Sequence, residues 1–177
     1  MNKRRKVLVG MVGLSCLALL AVGYAVAIHW PRIYRGPHNA FSLRYAGAWK
    51  PRTAGGVVTL VDASTAGGAG RSVSVVIAQT QPGWAEHFEA SLGKAFAAVG
   101  SDYRFLKATT ARLPGGEARI YSYTGVLGGV RRTNVVYVFD MGLGKAAVMT
   151  CSAPRQQAAG LADACAAFAA TFRAPGE

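Results

Sequence analysis

The strongest constraint on this chain is an uncharged apolar segment near its N-terminus, which runs from Val7 to Ile28. As a helix at 1.5 Å per residue it would be about 33 Å long, enough to cross a hydrocarbon core of about 30 Å. Four basic residues at positions 3–6 precede it, and such residues stay on the cytoplasmic side. The pattern predicts a cytoplasmic segment at 1–6, a transmembrane anchor at 7–29, and a remainder outside the cytoplasm.

A cleaved secretory signal is the alternative interpretation of the same residues. The tripeptide Ala25–Ala27, "AVA", is a small-x-small cleavage site, although the apolar run is longer than the usual apolar region of a signal peptide. Both interpretations place residues 31–177 in one compartment. The anchor interpretation predicts a single-pass protein of the inner membrane, with its C-terminal domain in the periplasm or the extracellular space.

The part of the chain beyond the membrane is basic and has the size of one domain. After residue 30 there are 16 Lys or Arg against 8 Asp or Glu, so this part carries +8 of the total formal charge of +12. Such a domain suits anionic lipid headgroups or an acidic partner. We expect no nucleic-acid binding, because the domain lies outside the cytoplasm and its basic residues are scattered singly except at Arg131 and Arg132.

Hydrophobic periodicity divides residues 41–174 into strands and two helices, after a polar linker at 30–40. Steps of four, four, four and three relate the apolar residues of the first predicted helix, and steps of four, three and four relate those of the second. The helical positions are Trp84, Phe88, Leu92, Phe96 and Val99, then Leu161, Cys165, Phe168 and Phe172. Strand patterns cover 41–50, 57–62, 72–79, 103–112, 117–126, 131–140 and 145–151, and the last four are joined by glycine turns. This order predicts an α+β domain with an antiparallel sheet and both helices packed against it.

The same order of elements resembles the PsbP/DcrB-like fold. The residues that carry the resemblance are "FSLRYAGAWK" (41–50), "LPGGEARIYSYT" (113–124), "KAAVMTCSAP" (145–154) and the final "FAATFR" (168–173). This family includes bacterial envelope proteins, mycobacterial lipoproteins and an extrinsic photosystem subunit. The resemblance covers about residues 40–174, and it implies a domain that binds or assembles with partners and has no catalytic set.

The residues themselves also argue against catalysis. Beyond the membrane boundary the only histidines are His38, in the predicted linker, and His87, on the first predicted helix, where it follows no metal-binding pattern. No Ser, Cys or Thr lies in a recognisable nucleophile motif. We therefore expect no enzyme activity, no metal and no cofactor.

Two functions are compatible with these observations. The first is a non-catalytic, membrane-anchored envelope protein whose outer domain is a binding or assembly module for another envelope component. The alternative is a membrane-tethered carrier of a lipid or small apolar ligand, which would use a cleft between helix and sheet. Three arginines of the predicted meander, Arg119, Arg131 and Arg132, are the candidate contacts for an anionic lipid or an acidic partner.

The segment "CSAPRQQAAGLADAC" contains the only two cysteines of the outer domain, Cys151 and Cys165. Their positions could indicate a reactive pair, two metal ligands or a disulfide. Both residues share the apolar side of their predicted elements, no further Cys or His stands nearby as a zinc ligand, and the CxxC spacing of redox pairs is absent. In an oxidising compartment we expect them to form a disulfide.

Overall fold

The structure, a computed structural model, describes residues 30–63 and 70–175. The predicted anchor at 7–29 lies outside these residues, and so does the cleavage site of the alternative interpretation at Ala25–Ala27. Within the described ranges no helix has both the length and the apolar character that a membrane span requires.

The described residues form nine strands, which are β1 Pro31–Arg35, β2 Ser42–Ala46, β3 Trp49–Ala54, β4 Val57–Asp62, β5 Ser72–Gln79, β6 Gly100–Leu113, β7 Gly116–Leu127, β8 Val130–Gly142 and β9 Lys145–Pro154. Seven of them form an antiparallel sheet with the order β3-β4-β5-β9-β8-β7-β6, and β1 and β2 form a separate two-stranded sheet. The four-stranded meander and the hairpin of 57–62 with 72–79 are confirmed, since each of these strands pairs with its neighbour along the chain.

The two helices, α1 at Trp84–Val99 and α2 at Leu161–Thr171, pack on opposite faces of this sheet. The aromatic residues of β7 and β8 follow this division. Tyr121 and Tyr123 lie under α1, whereas Tyr137 and Phe139 belong to the core under α2. The sequence left open whether these aromatic faces coincide, and they do not. The register pairs Tyr121 with Val136, and an offset of one residue turns a side chain to the other face.

The core under α2 is the larger one. Phe172 stacks on Phe139 with 4.6 Å between ring centroids, and Trp49 meets Phe168 edge to face at 4.9 Å. Leu161, Cys165 and Phe168 are buried here, as the predicted helical periodicity requires. The second sheet lies at the edge of this core, because Phe41 of the segment before β2 stacks on Phe172 at 5.9 Å.

Residues 30–40, for which the sequence predicts a linker, are part of the folded domain. Residues 31–35 form β1, which pairs antiparallel with β2, and a short 3-10 turn follows at Pro37–Asn39. The predicted strand at 41–50 is divided by a turn between β2 and β3, which belong to different sheets. Pairing of β1 with β2 and the contact of Tyr34 with Phe41 supply interactions that the polar composition of this segment does not indicate.

A disulfide joins Cys151 of β9 to Cys165 of α2, with 5.9 Å between the Cα atoms, and the predicted pairing is confirmed. Both residues are fully buried in the core under α2. The bond therefore links the centre of the sheet to the C-terminal helix.

We predict that removing this disulfide with the double substitution Cys151→Ala and Cys165→Ala lowers the free energy of unfolding by about 3 kcal/mol, because a closed loop of about 15 residues no longer constrains the unfolded chain. Denaturant titration measures the loss. In the denatured wild-type protein, reduction should release two additional titratable thiols. An unchanged thiol count on reduction would contradict the bond.

Candidate functional site

The face of the sheet under α1 is only partly covered. The helix packs over the meander strands, where Trp84, Phe88, Leu92 and Phe96 contact buried residues of β7, β8 and β9. On this face the side chains of β4 and β5, and Val148 and Thr150 of β9, are only half-buried. Val99, the last predicted helical core position, is 68% exposed at the end of the helix. One half of the face is therefore open beside the helix.

The position of α1 depends on a glycine of β7. Phe96, the only buried residue of the helix, lies directly over Gly125, and a Cβ atom at that position would overlap two carbons of the Phe96 ring. The same ring meets Tyr123 edge to face at 5.5 Å. A close approach of this kind needs a residue without a side chain, so Gly125 fixes where the C-terminal half of α1 meets the sheet.

Two depressions follow each other along the uncovered strands, with volumes of about 530 and 330 Å³. We call them together the open groove. One wall is the flank of α1, from His87 in the smaller depression to Val99 in the larger one. The floor is formed by β5 and β9.

The floor of the open groove changes from polar to apolar along the strands. Side chains opposite each other on β5 and β9 share a face, so the register gives four cross-strand pairs in line. From one end to the other these are Ser72 with Ser152, Ser74 with Thr150, Val76 with Val148, and Ala78 with Ala146. The last pair lies six positions along the strand from the first, which corresponds to a distance of about 20 Å at about 3.3 Å per residue. The groove thus has a polar half and an apolar half.

The polar half contains a buried amide whose nitrogen lacks an acceptor. Asn134 of β8 is 4% exposed, and its Nδ2 has no hydrogen-bond partner among the described residues. Arg132 lies two residues before it on the same strand and donates from Nε to Ser152 Oγ at 2.7 Å and from Nη2 to Gly70 O at 2.9 Å. Burial lowers the pKa of Arg132 from its ordinary value. These contacts hold a half-buried guanidinium beside a buried polar row.

Tyr123 separates this polar half from the core under α1. Burial, and to a lesser extent the neighbouring Tyr103, raises the pKa of the Tyr123 phenol to about 12. The phenol is therefore neutral over the physiological range and can serve as a hydrogen-bond donor or acceptor at the edge of the groove.

The structure does not bring the three predicted arginines together. Arg119 donates to Ala85 O of α1 at 3.1 Å, and Arg131 forms an exposed ion pair with Asp102 at 3.0 Å. Arg131 is paired with Val126 of β7, seven residues beyond Arg119, which corresponds to about 23 Å along the strand. Of the three, Arg132 alone lines the groove.

Sequence reasoning did not identify Asn134, Ser152 or Gly125 as site residues. The available signal was the single amide in the otherwise apolar part of β8, "NVVYVF", because a polar residue within a buried strand needs a partner. Within residues 30–63 and 70–175, no three His, Cys, Asp or Glu side chains are grouped so that they could hold a metal ion.

No family model and no curated protein matches this sequence. Several solved structures do resemble the domain. Cyanobacterial PsbP (CyanoP) from Synechocystis sp. PCC 6803 aligns with a TM-score of 0.59 and 14% identity over 84% of this chain and 95% of its own. LpqN, involved in cell envelope biogenesis of Mycobacterium tuberculosis, aligns at 0.56 with 15% identity over 76% and 83%, respectively. A mutant of the protein Mog1 aligns at 0.57 with 10% identity over 81% and 95%. These similarities confirm the PsbP-like fold that the sequence resemblance implies.

We predict that Gly125→Val lowers the free energy of unfolding by about 1 to 3 kcal/mol, because the new side chain displaces the Phe96 ring from the sheet. Chemical denaturation measures this loss. The control is Thr124→Val, which introduces the same residue at the neighbouring position on the opposite face and should change stability by less than about 0.5 kcal/mol. Equal stabilities of the two variants would contradict the role of Gly125.

Proposed function

We propose that this domain is a non-catalytic binding module of the cell envelope, and that the open groove is the surface to which an envelope component binds. The observation that carries the proposal is the uncovered half of the sheet. Apolar side chains on a sheet face are normally buried under another layer, and a concave region with a few buried polar groups is a typical binding site.

The composition of the groove supports a binding role without catalysis. Among the described residues that line it there is no Asp or Glu, and His87 is the one histidine. General acid-base catalysis usually needs paired, positioned titratable groups.

The envelope location is supported by two independent features. The disulfide Cys151–Cys165 suits an oxidising compartment, and one protein of similar fold, LpqN, is involved in cell envelope biogenesis. We further propose that residues 7–29 anchor the domain in the inner membrane, on the strength of the apolar segment and the four basic residues before it.

A carrier of a small amphipathic ligand is the second candidate function. The apolar half of the groove favours it, because Val148 and Ala146 of its floor lie opposite Trp84 and Phe88 of α1. A purely apolar ligand is a poorer match, since the other half of the floor is lined by hydroxyl side chains that it would shield from water.

We predict that Ser74→Trp, which fills the centre of the open groove, abolishes the association of the protein with its envelope component. Affinity purification from solubilised membranes, followed by mass spectrometry, measures the associated molecules. The matched control is Thr109→Trp, which places the same side chain on exposed β6 at the far edge of the sheet. If both variants recover the same components as the wild type, the groove is not the binding surface.

The first three strands suit the membrane-facing side of the domain. Between Trp30 and Val61 the chain has five Lys or Arg and no Asp or Glu. Arg35, Arg44 and Lys50 are exposed, and none of them has an ion-pair partner among the described residues. Because these strands directly follow the proposed anchor, we propose that they face the anionic lipid surface, in place of Arg119 and Arg131, whose side chains make intramolecular contacts.

We predict that a domain beginning at Trp30 binds vesicles containing anionic lipid, and that Arg35→Glu, Arg44→Glu and Lys50→Glu together abolish the binding by electrostatic repulsion. Vesicle co-sedimentation at low and high salt measures it. The control reverses three exposed charges of β6, with Arg104→Glu, Lys107→Glu and Arg112→Glu, at an edge about 29 Å from β3. Equal loss in both triple variants would indicate a net-charge effect and contradict the assignment.

A further inference from the structure

The polar half of the open groove has the donors and the charge of an anion site. We propose that it binds an anionic oxygen group, a phosphate or a carboxylate, carried by a small molecule. This inference rests on the proposed function, because it names the ligand chemistry of the same groove.

Asn134 provides the first hydrogen-bond donor of the site. Its Nδ2 is buried and without an acceptor among the described residues, and a buried donor left in this state destabilises the fold. Buried polar groups in native proteins are paired with protein atoms, ordered water or ligands. Asn134 is one of the residues that line the larger depression, so its amide is the candidate donor to an oxygen atom of a ligand bound there.

Arg132 and Ser152 extend this donor into a row. The register places Asn134 opposite Ser152 on β9, and Ser152 opposite Ser72 on β5. Ser152 is 9% exposed and its Oγ accepts a hydrogen bond from Arg132 Nε at 2.7 Å, which leaves the hydroxyl hydrogen available as a donor. Amide, hydroxyl and guanidinium groups therefore meet at one end of the groove.

The charge of this region selects an anion over a cation. The described lining residues include the cationic Arg132 and no Asp or Glu. Hydrogen bonds from a guanidinium to an oxyanion are shorter and stronger than neutral ones. A neutral, hydroxyl-rich ligand would gain less from this charge than an anion would.

The rest of the groove distinguishes two sources of the anionic group. A free anion would occupy the polar half alone. A lipid-like molecule would also extend over Val148 and Ala146 in the apolar half. Each methylene buried there would then strengthen binding about fourfold.

Calorimetric titration of the full-length protein in phosphatidylcholine nanodiscs tests the inference, with empty nanodiscs as the blank. The probes are inorganic phosphate, butyl phosphate, butyl glucoside and butyltrimethylammonium. We expect both phosphates to bind and the cation and the glucoside not to bind. Tighter binding of butyl phosphate than of inorganic phosphate would identify a lipid-like molecule as the source of the anionic group. Equal affinities for the two phosphates would identify a free anion.

Substitutions locate the site. Asn134→Leu and the nearly isosteric Asn134→Asp should each weaken butyl phosphate binding at least about tenfold, because they remove the amide donor. The control is Ser122→Ala, at a buried polar residue of β7 on the opposite face of the sheet, which should leave binding unchanged. In the wild type, the side-chain amide resonances of Asn134 should shift on addition of butyl phosphate, and this readout does not depend on the folding of any variant.

Binding of butyl glucoside or the cation as tightly as butyl phosphate would overturn the inference, and so would unmoved Asn134 resonances, which would indicate an ordered water at the amide. If no phosphate binds while Ser74→Trp still abolishes association with the envelope component, the proposed function stands and the anion site is rejected. If phosphate binds at Asn134 and Ser74→Trp has no effect on association, the anion site stands and the proposed function is rejected.

Discussion

The contact of Phe96 with Gly125 is the interaction on which the proposed binding surface depends. A single helix is too narrow to cover all the strands of a seven-stranded sheet. The lateral position of α1 therefore decides which strands remain uncovered. The missing side chain at Gly125 lets the Phe96 ring settle over β7. With the helix held there, β4, β5 and part of β9 are left without a second layer on this face.

The opposite face has the complementary arrangement. There α2, the β1–β2 sheet and the disulfide enclose a filled aromatic core, in which Phe139, Phe172 and Cys151 are fully buried. The apolar burial on this face stabilises the domain. The other face can therefore carry polar side chains at positions where apolar ones would give more stability. The concentration of the stabilising contacts on one face explains how the fold can keep Asn134 buried on the other with its amide nitrogen unpartnered among the described residues.

The sequence predicted the elements of this fold better than their placement. Apolar steps of four define α1 and α2, and glycine turns such as that between β8 and β9 define the meander, because both signals are local. The faces were not predictable. Whether Tyr121 and Tyr137 share a side depends on a register offset of one residue, and this offset is fixed by pairing across strands. The segment of β1 has the polar composition of a linker. It forms a strand because it pairs with β2 and contacts the core, and the sequence of the segment shows neither interaction.

The site was predicted only in outline. A cleft between helix and sheet follows from the α+β order, and Arg132 was among the candidate contacts. The remaining features depend on tertiary structure: Asn134 and Ser152 become neighbours through the pairing of β8 with β9, and the polar end of the floor arises from the pairing of β5 with β9. No local pattern in the sequence specifies which hydroxyls the helix leaves uncovered.

Site-specific photo-crosslinking in intact cells is the most direct measurement of the central claim, that the uncovered half of the sheet is the working surface. A photoreactive amino acid at Thr59 would lie on β4 in the larger depression of the groove, and one at Thr109 would lie on exposed β6. We predict a crosslinked product, seen as a discrete increase in mass, from position 59 and none from position 109. A product from position 109 with none from position 59 would contradict the claim.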